Sequence, residues 1–226
     1  MTPEQALAIL RAEADPTRAA EMAAYHKTSR EVLGIAVPRL TELATDWRAE
    51  GALEDRLALA AGLWDANIHE TRVAAAKLLT QARIRPDEAV WQLIVSWVPQ
   101  FDGWAIADHV CDAGRRRLMA DPRRLDLVES WTTDPSMWVR RAALVMTLPW
   151  AKLTHPKPDQ TAERERILGW AASYVADRDW FIQKAIAWWL RDLSKHDADR
   201  TRAFLAAHGA GMKAFARKEA ARHLPM

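Results

Sequence analysis

Gly103-Trp104-Ala105-Ile106-Ala107-Asp108 reads as the first turns of a helix, and three other segments lie in register with it. His69-Glu70-Thr71-Arg72-Val73-Ala74-Ala75 precedes it. Met137-Trp138-Val139-Arg140-Arg141-Ala142-Ala143 and Trp180-Phe181-Ile182-Gln183-Lys184-Ala185-Ile186 follow, at intervals of 34, 34 and 43 residues. Two helices per unit at that period mark an α-solenoid of HEAT or armadillo type. The longest interval takes its extra residues from the polar stretch 152–159, where an insertion belongs. A plain bundle of similar Ala-rich helices is the competing reading. The fold expected is therefore all-α, a solenoid of HEAT-like helix pairs, with one domain spanning residues 1–226.

Local signals agree with it. Thr2-Pro3 and Asp15-Pro16 each place a capping side chain before a proline at the first helical position. They open helices to about Ala14 and Lys27. Further helices are expected from Pro38 to about Glu50, over Leu53–Leu63, over His69–Ala82 and from Pro86 to about Val98. Trp64-Asp65-Ala66-Asn67 reads as a turn. Asp102 is a good N-cap for the helix carrying Trp104 and Asp108. Pro122–Trp131, Pro135–Leu148, Gln160–Ala176, Trp180–Leu193, Asp197–His208 and Met212–Arg222 complete the set. No stretch alternates with period two and β-branched enrichment, so no sheet is expected.

Composition bounds the function. Half of the 226 residues are hydrophobic, 27% are charged, and there are 8 Gly, which favours helix. The formal net charge of +2 excludes a whole-domain basic field, so contact with a polyanion must come from local clusters. A single Cys excludes an internal disulfide and a multi-cysteine zinc site, and suits a reducing cytoplasm. No apolar run reaches the length of a membrane span, and no signal-peptide pattern opens the chain. The anomaly is 12 Trp beside 4 Phe and 2 Tyr. Each buried indole N–H needs a partner, so some of these rings are expected to face a ligand.

The repeat puts equivalent positions side by side along one wall of the solenoid. Trp104, Trp138 and Phe181 share one position. Asp108 stands where the other units have Ala74, Ala142 and Ala185. Arg141 and Lys184 share another position, and Trp188 follows Lys184 by one turn. Cations fix phosphates and indoles stack on bases. A carboxylate opposes phosphate binding unless positive charge develops on the ligand, as at a deoxyribose losing its base. Departure of a base already cationic from alkylation needs no general acid, and indole faces favour such a base by about 0.5–2 kcal/mol.

At these residues the sequence resembles the AlkD-type DNA alkylation repair glycosylases, a HEAT-like family acting on cationic N3- and N7-alkylated purines. The resemblance covers nearly the whole chain. It runs from Tyr25-His26-Lys27, Leu33-Gly34-Ile35 and Pro38 through Leu63-Trp64-Asp65 and His69-Glu70-Thr71-Arg72. It continues through Trp104-xxx-Asp108, Arg141-Ala142-Ala143 and Gln183-Lys184-Ala185-Ile186-Ala187-Trp188. It implies that Asp108 is the catalytic carboxylate, that Trp104 and Trp188 flank the lesion nucleotide, and that Arg141 grips the backbone. Arg140, Lys184, Trp138 and Lys27 complete the expected DNA-binding set. The implied partner is duplex DNA with alkylated bases, met by a monomer in the nucleoid-bearing cytoplasm, without cofactor, metal or membrane. The chain departs from the family at Arg30-Glu31-Val32, where aromatic residues are common, and in the low positive charge of Pro38-Arg39-Leu40-Thr41.

Other signals are weaker. His69-Glu70 and His109 lack partners at metal-ligand spacing, and Gly209-Ala210-Gly211-Met212-Lys213 is not a phosphate loop. The remaining Trp residues, Trp180 among them, are expected to be structural. Arg115-Arg116-Arg117, Arg123-Arg124 and the C-terminal Lys213, Arg217, Lys218 and Arg222 suit either a backbone contact or a solvated face. Cys111 is expected to be a buried thiol. The alternative to an enzyme is a non-catalytic HEAT-repeat module that binds DNA or protein.

Overall fold

A computed structural model describes residues 1–224. Among the described residues the regular structure is entirely helical. The α-helices are α1 (Pro3–Ala12), α2 (Pro16–His26), α3 (Val37–Ala49), α4 (Leu53–Asp65), α5 (His69–Leu78), α6 (Glu88–Trp97) and α7 (Trp104–Ala120). They continue as α8 (Leu125–Ser130), α9 (Met137–Met146), α10 (Leu148–Ala151), α11 (Pro158–Ser173), α12 (Trp180–Leu193), α13 (Ala198–His208) and α14 (Ala214–Ala220). The chain is an all-α helical-repeat protein.

Several boundaries follow directly from capping chemistry. The Thr2 hydroxyl accepts from the Gln5 N–H while the Gln5 amide oxygen accepts from the Thr2 N–H, a reciprocal box at the start of α1. Asp15, Asp179 and Asp197 cap α2, α12 and α13 by accepting from Arg18, Phe181 and Arg200 N–H groups. Elsewhere tertiary contacts move the boundary. α4 continues through Trp64 and Asp65 instead of turning there, because Trp64 is fully engaged in packing. Its indole stacks on Trp97 at 4.4 Å, its other surroundings include the Arg72 guanidinium at 4.3 Å, and its N–H donates to Gln100. The turn is confined to Ala66 and Asn67, the latter left-handed at φ 56°. α5 stops at Leu78 rather than Ala82. The fully buried Arg117 donates to the Gln81, Ala82 and Ile84 carbonyls and pairs with Asp87, which holds 81–87 as a loop.

The chain divides into two compact units, Met1–Arg117 and Leu118–Met226. In the first, α5 is the central helix and packs on α3 and α4, with α1 against α4. Ala74, Ala75 and Ala76 are fully buried and allow the close approach. In the second, α12 takes that place, packing on α9, α10 and α14. Trp138 of α9 and Phe181 of α12, equivalent in the repeat, meet with ring centroids 4.7 Å apart.

The segment 27–36 has little regular structure, and Glu70 organises it. Glu70 is fully buried and its carboxylate accepts from the N–H groups of Leu33, Gly34 and Ile35. Gly34 sits at φ +83°, and a Cβ there would lie 2.3 Å from the Asp15 carbonyl oxygen. Only glycine fits that turn without displacing backbone.

Candidate active site

α7 begins at Trp104, where the Ala107 N–H donates to the Gly103 carbonyl. Asp102, expected as the cap, has another partner. Its two carboxylate oxygens accept from the two terminal nitrogens of Arg30 at 2.9 and 3.1 Å, and the Arg30 Nε donates to Asn67. A bidentate charged pair outweighs a single cap hydrogen bond. Arg30 thereby ties the 27–36 segment, the α4–α5 turn and the approach to α7 together. Glu31 beside it pairs with Arg11 and its carbonyl accepts from the His69 N–H. The departure from the family pattern at Arg30-Glu31 therefore serves internal bracing.

Trp104 is half-buried in an aromatic cluster. Tyr25 meets it edge-on at 5.9 Å, and His26 lies 5.2 Å from it. His26 in turn stacks on His69 at 4.6 Å and 23°. Tyr25 is 70% exposed, so one wall of the cluster is displayed to solvent. His26, Thr28, Arg30, His69, Asp102 and Trp104 border a shallow open cleft. Tyr25 was not among the residues expected to carry the site, although its aromatic type two residues before Lys27 was the available signal.

Asp108 lies one helical turn beyond Trp104 and is half-buried. On α7 the residues 104, 105, 108, 109 and 112 are partly open while Ile106, Ala107, Val110 and Cys111 are buried. Trp104 and Asp108 thus share the open stripe of the helix, as their spacing predicts.

The histidines nearby are neutral near pH 7. Burial, then the neighbouring His26, Arg30 and His109, push His69 down to about 4. Burial and Lys77 push His109 down to about 4, and burial also lowers His26. Stability linked to His69 and His109 is complete above about pH 6.5. Unfolded imidazoles bind protons first as the pH falls, so that stability is lost between about 6.5 and 4. A melting series over this range should show a falling midpoint that flattens in His69→Gln, with at most about 3 kcal/mol at stake for that residue.

In the second unit Trp188 is half-buried on α12, two turns beyond Phe181. Arg141 is buried at 3% exposure, its guanidinium carbon 6.0 Å from the Trp138 ring centre. Arg140 is occupied structurally: it donates to the Asp134 and Pro135 carbonyls and pairs with Asp177 at 3.0 Å. Lys184 pairs with Glu219, which also holds Arg191. Lys27 is exposed at the left-handed C-cap of α2. Among the described residues no group of three or more His, Cys, Asp or Glu side chains is placed to hold a metal ion. Among the described residues no helix is long and apolar enough to cross a membrane.

An all-helical repeat carrying an indole and a carboxylate on one open helix stripe defines a class of scaffold, and comparison with known proteins gives the family. The family model for DNA alkylation repair enzymes matches residues 6–224, and the chain belongs to that family. Among solved structures, a predicted DNA alkylation repair enzyme from Enterococcus faecalis superimposes with a TM-score of 0.76 at 22% identity. That match covers 94% of this chain and 97% of the other. AlkD2 from Streptococcus mutans matches with a TM-score of 0.63 at 16% identity, over 85% of this chain and 92% of its own. No curated protein matches the chain.

Proposed function

We propose that the protein is a monofunctional DNA glycosylase that removes positively charged N3- and N7-alkylated purines from duplex DNA. The observation that carries this reading is the pairing of Trp104 and Asp108 on the open stripe of α7, in a chain of the alkylation repair family.

The C1′–N bond breaks and its electron pair leaves with the base, cancelling the positive charge that alkylation placed there. No proton has to be supplied to the leaving group. The sugar becomes oxocarbenium-like, and the Asp108 carboxylate stabilises that charge where it develops. Water then adds at C1′ and gives up its proton, leaving an abasic site. Trp104 offers its π face to the cationic nucleotide. Trp188 and Arg141 take the two remaining roles that the resemblance implies, an indole against the lesion and a cation for the backbone. Tyr25 extends the aromatic surface beside Trp104. The enzyme acts as a cytoplasmic monomer without metal or cofactor.

Incubation with a duplex containing one 7-methylguanine, followed by alkaline cleavage of abasic sites, tests the reading. A cut at the lesion position is expected. DNA binding without base release would leave a non-catalytic binding module instead.

Arg30 supplies a second check. Because it anchors Asp102 two residues before Trp104, Arg30→Ala should let the indole shift and slow excision roughly tenfold, while Arg30→Lys restores part of the rate. Excision kinetics at saturating enzyme separate this from weakened binding. An unchanged rate in Arg30→Ala would detach the brace from the chemistry.

A further inference from the structure

The first turns of α9, α12 and α14 carry a continuous ladder of aromatic rings. Trp138 meets Phe181 at 4.7 Å. Phe181 meets Trp180 edge-on at 5.0 Å, and Trp180 stacks on Phe215 at 5.6 Å and 20°. Trp180 is 48% exposed, against the expectation that it would be structural. An indole left this open forfeits burial that helix-packing Trp residues normally gain.

Charge around the ladder is mostly positive once the internal pairs are removed. Asp177 is held by Arg140 and Glu219 is shared by Lys184 and Arg191, while Asp179, which caps the Phe181 N–H, keeps its negative charge. Among the described residues Arg178, Lys213, Arg217 and Lys218 have no ion pair. The Arg178 guanidinium, two residues before Trp180, donates to the Gly211 carbonyl, and the Lys213 backbone N–H donates to the Gln183 side chain, which fixes the main chain two residues before Phe215. Lys218 follows Phe215 by three residues on α14, which brings it to the same helix face.

Exposed π faces flanked by uncommitted cations suit a chain that alternates flat rings with phosphates. Bases inside a duplex are already stacked on one another, so the accessible form is an unpaired strand. We propose that this ladder is a binding site for single-stranded DNA, with a base stacked on Trp180 and phosphates held by Arg178, Lys213 and Lys218. Trp180, Arg178, Lys213 and Lys218 are not among the residues assigned to excision, although the ladder ends at Trp138, an expected DNA-binding residue beside Arg141, and the proposal does not depend on that assignment.

Fluorescence anisotropy with labelled oligo(dT) of about 20 nucleotides tests it. Trp180→Ala should weaken binding roughly tenfold and Trp180→Phe should stay within about threefold of wild type. Lys213→Gln with Lys218→Gln should flatten the dependence of affinity on salt. Excision from lesion-bearing duplex should remain within about twofold in Trp180→Ala, as expected for a surface side chain outside the reacting site. If Trp180→Ala binds oligo(dT) as well as wild type, the inference is wrong. It is equally overturned if wild type ignores oligo(dT) and instead self-associates in sedimentation velocity through Trp180. Should wild type release no 7-methylguanine yet show Trp180-dependent binding, the excision reading fails and this one stands.

Discussion

Asp108→Asn should lower single-turnover excision of 7-methylguanine by about 10²–10³-fold. The amide keeps the shape of the side chain, removes its charge and replaces one acceptor oxygen with a donor nitrogen. If that charge opposes the positive sugar in the transition state, its loss appears in the rate of bond cleavage and not in ground-state binding. Affinity for duplex should hold or rise slightly, because one negative charge would have left the surface proposed to meet phosphates. Asp112, one turn further along α7 and ion-paired with Arg115, is the internal control. Its Asn variant should excise at close to the wild-type rate. Retention of a third or more of the activity in Asp108→Asn would remove the carboxylate from the mechanism.

The largest effect on stability is expected at Glu70. Glu70→Ala would leave the N–H groups of Leu33, Gly34 and Ile35 without their acceptor, in a segment where Leu33 and Ile35 are nearly fully buried. Each orphaned buried donor costs about 1–3 kcal/mol, and partial relaxation of the loop recovers some of it. A net loss of about 4 kcal/mol is expected, which for a chain of this size lowers the melting midpoint by roughly 10 °C. Glu70→Gln should fall between, since its amide presents one acceptor oxygen and one donor nitrogen to three donors. A midpoint for Glu70→Ala within about 2 °C of wild type would show that water or a shifted loop satisfies those groups.

Helices were legible wherever capping is local. Thr2, Asp15 and Asp197 announce their helices because the side chain bonds a backbone group three residues on. Asp102 is the instructive exception. The same residue type in the same position has a distant bidentate partner, Arg30, and no window of sequence contains both. The α4 end was misplaced for the same reason: Trp64 belongs to a stack with Trp97, far along the chain. The Trp104 and Asp108 pair was legible because one helical turn relates them. The surroundings of that pair were not, since His26, His69 and Tyr25 converge on Trp104 only in three dimensions. Arg140 and Lys184 illustrate the limit for charge. Sequence shows a cation, whereas Asp177 and Glu219 decide whether it is available.

Cys111 stands one turn past Asp108 and is 1% exposed, and it is the sole thiol in the chain. A disulfide reagent can therefore react only when that part of α7 comes away from its packing. The labelling rate becomes a clock for how often the helix bearing the carboxylate loosens. Measured with and without damaged duplex, it reports whether substrate holds that helix shut.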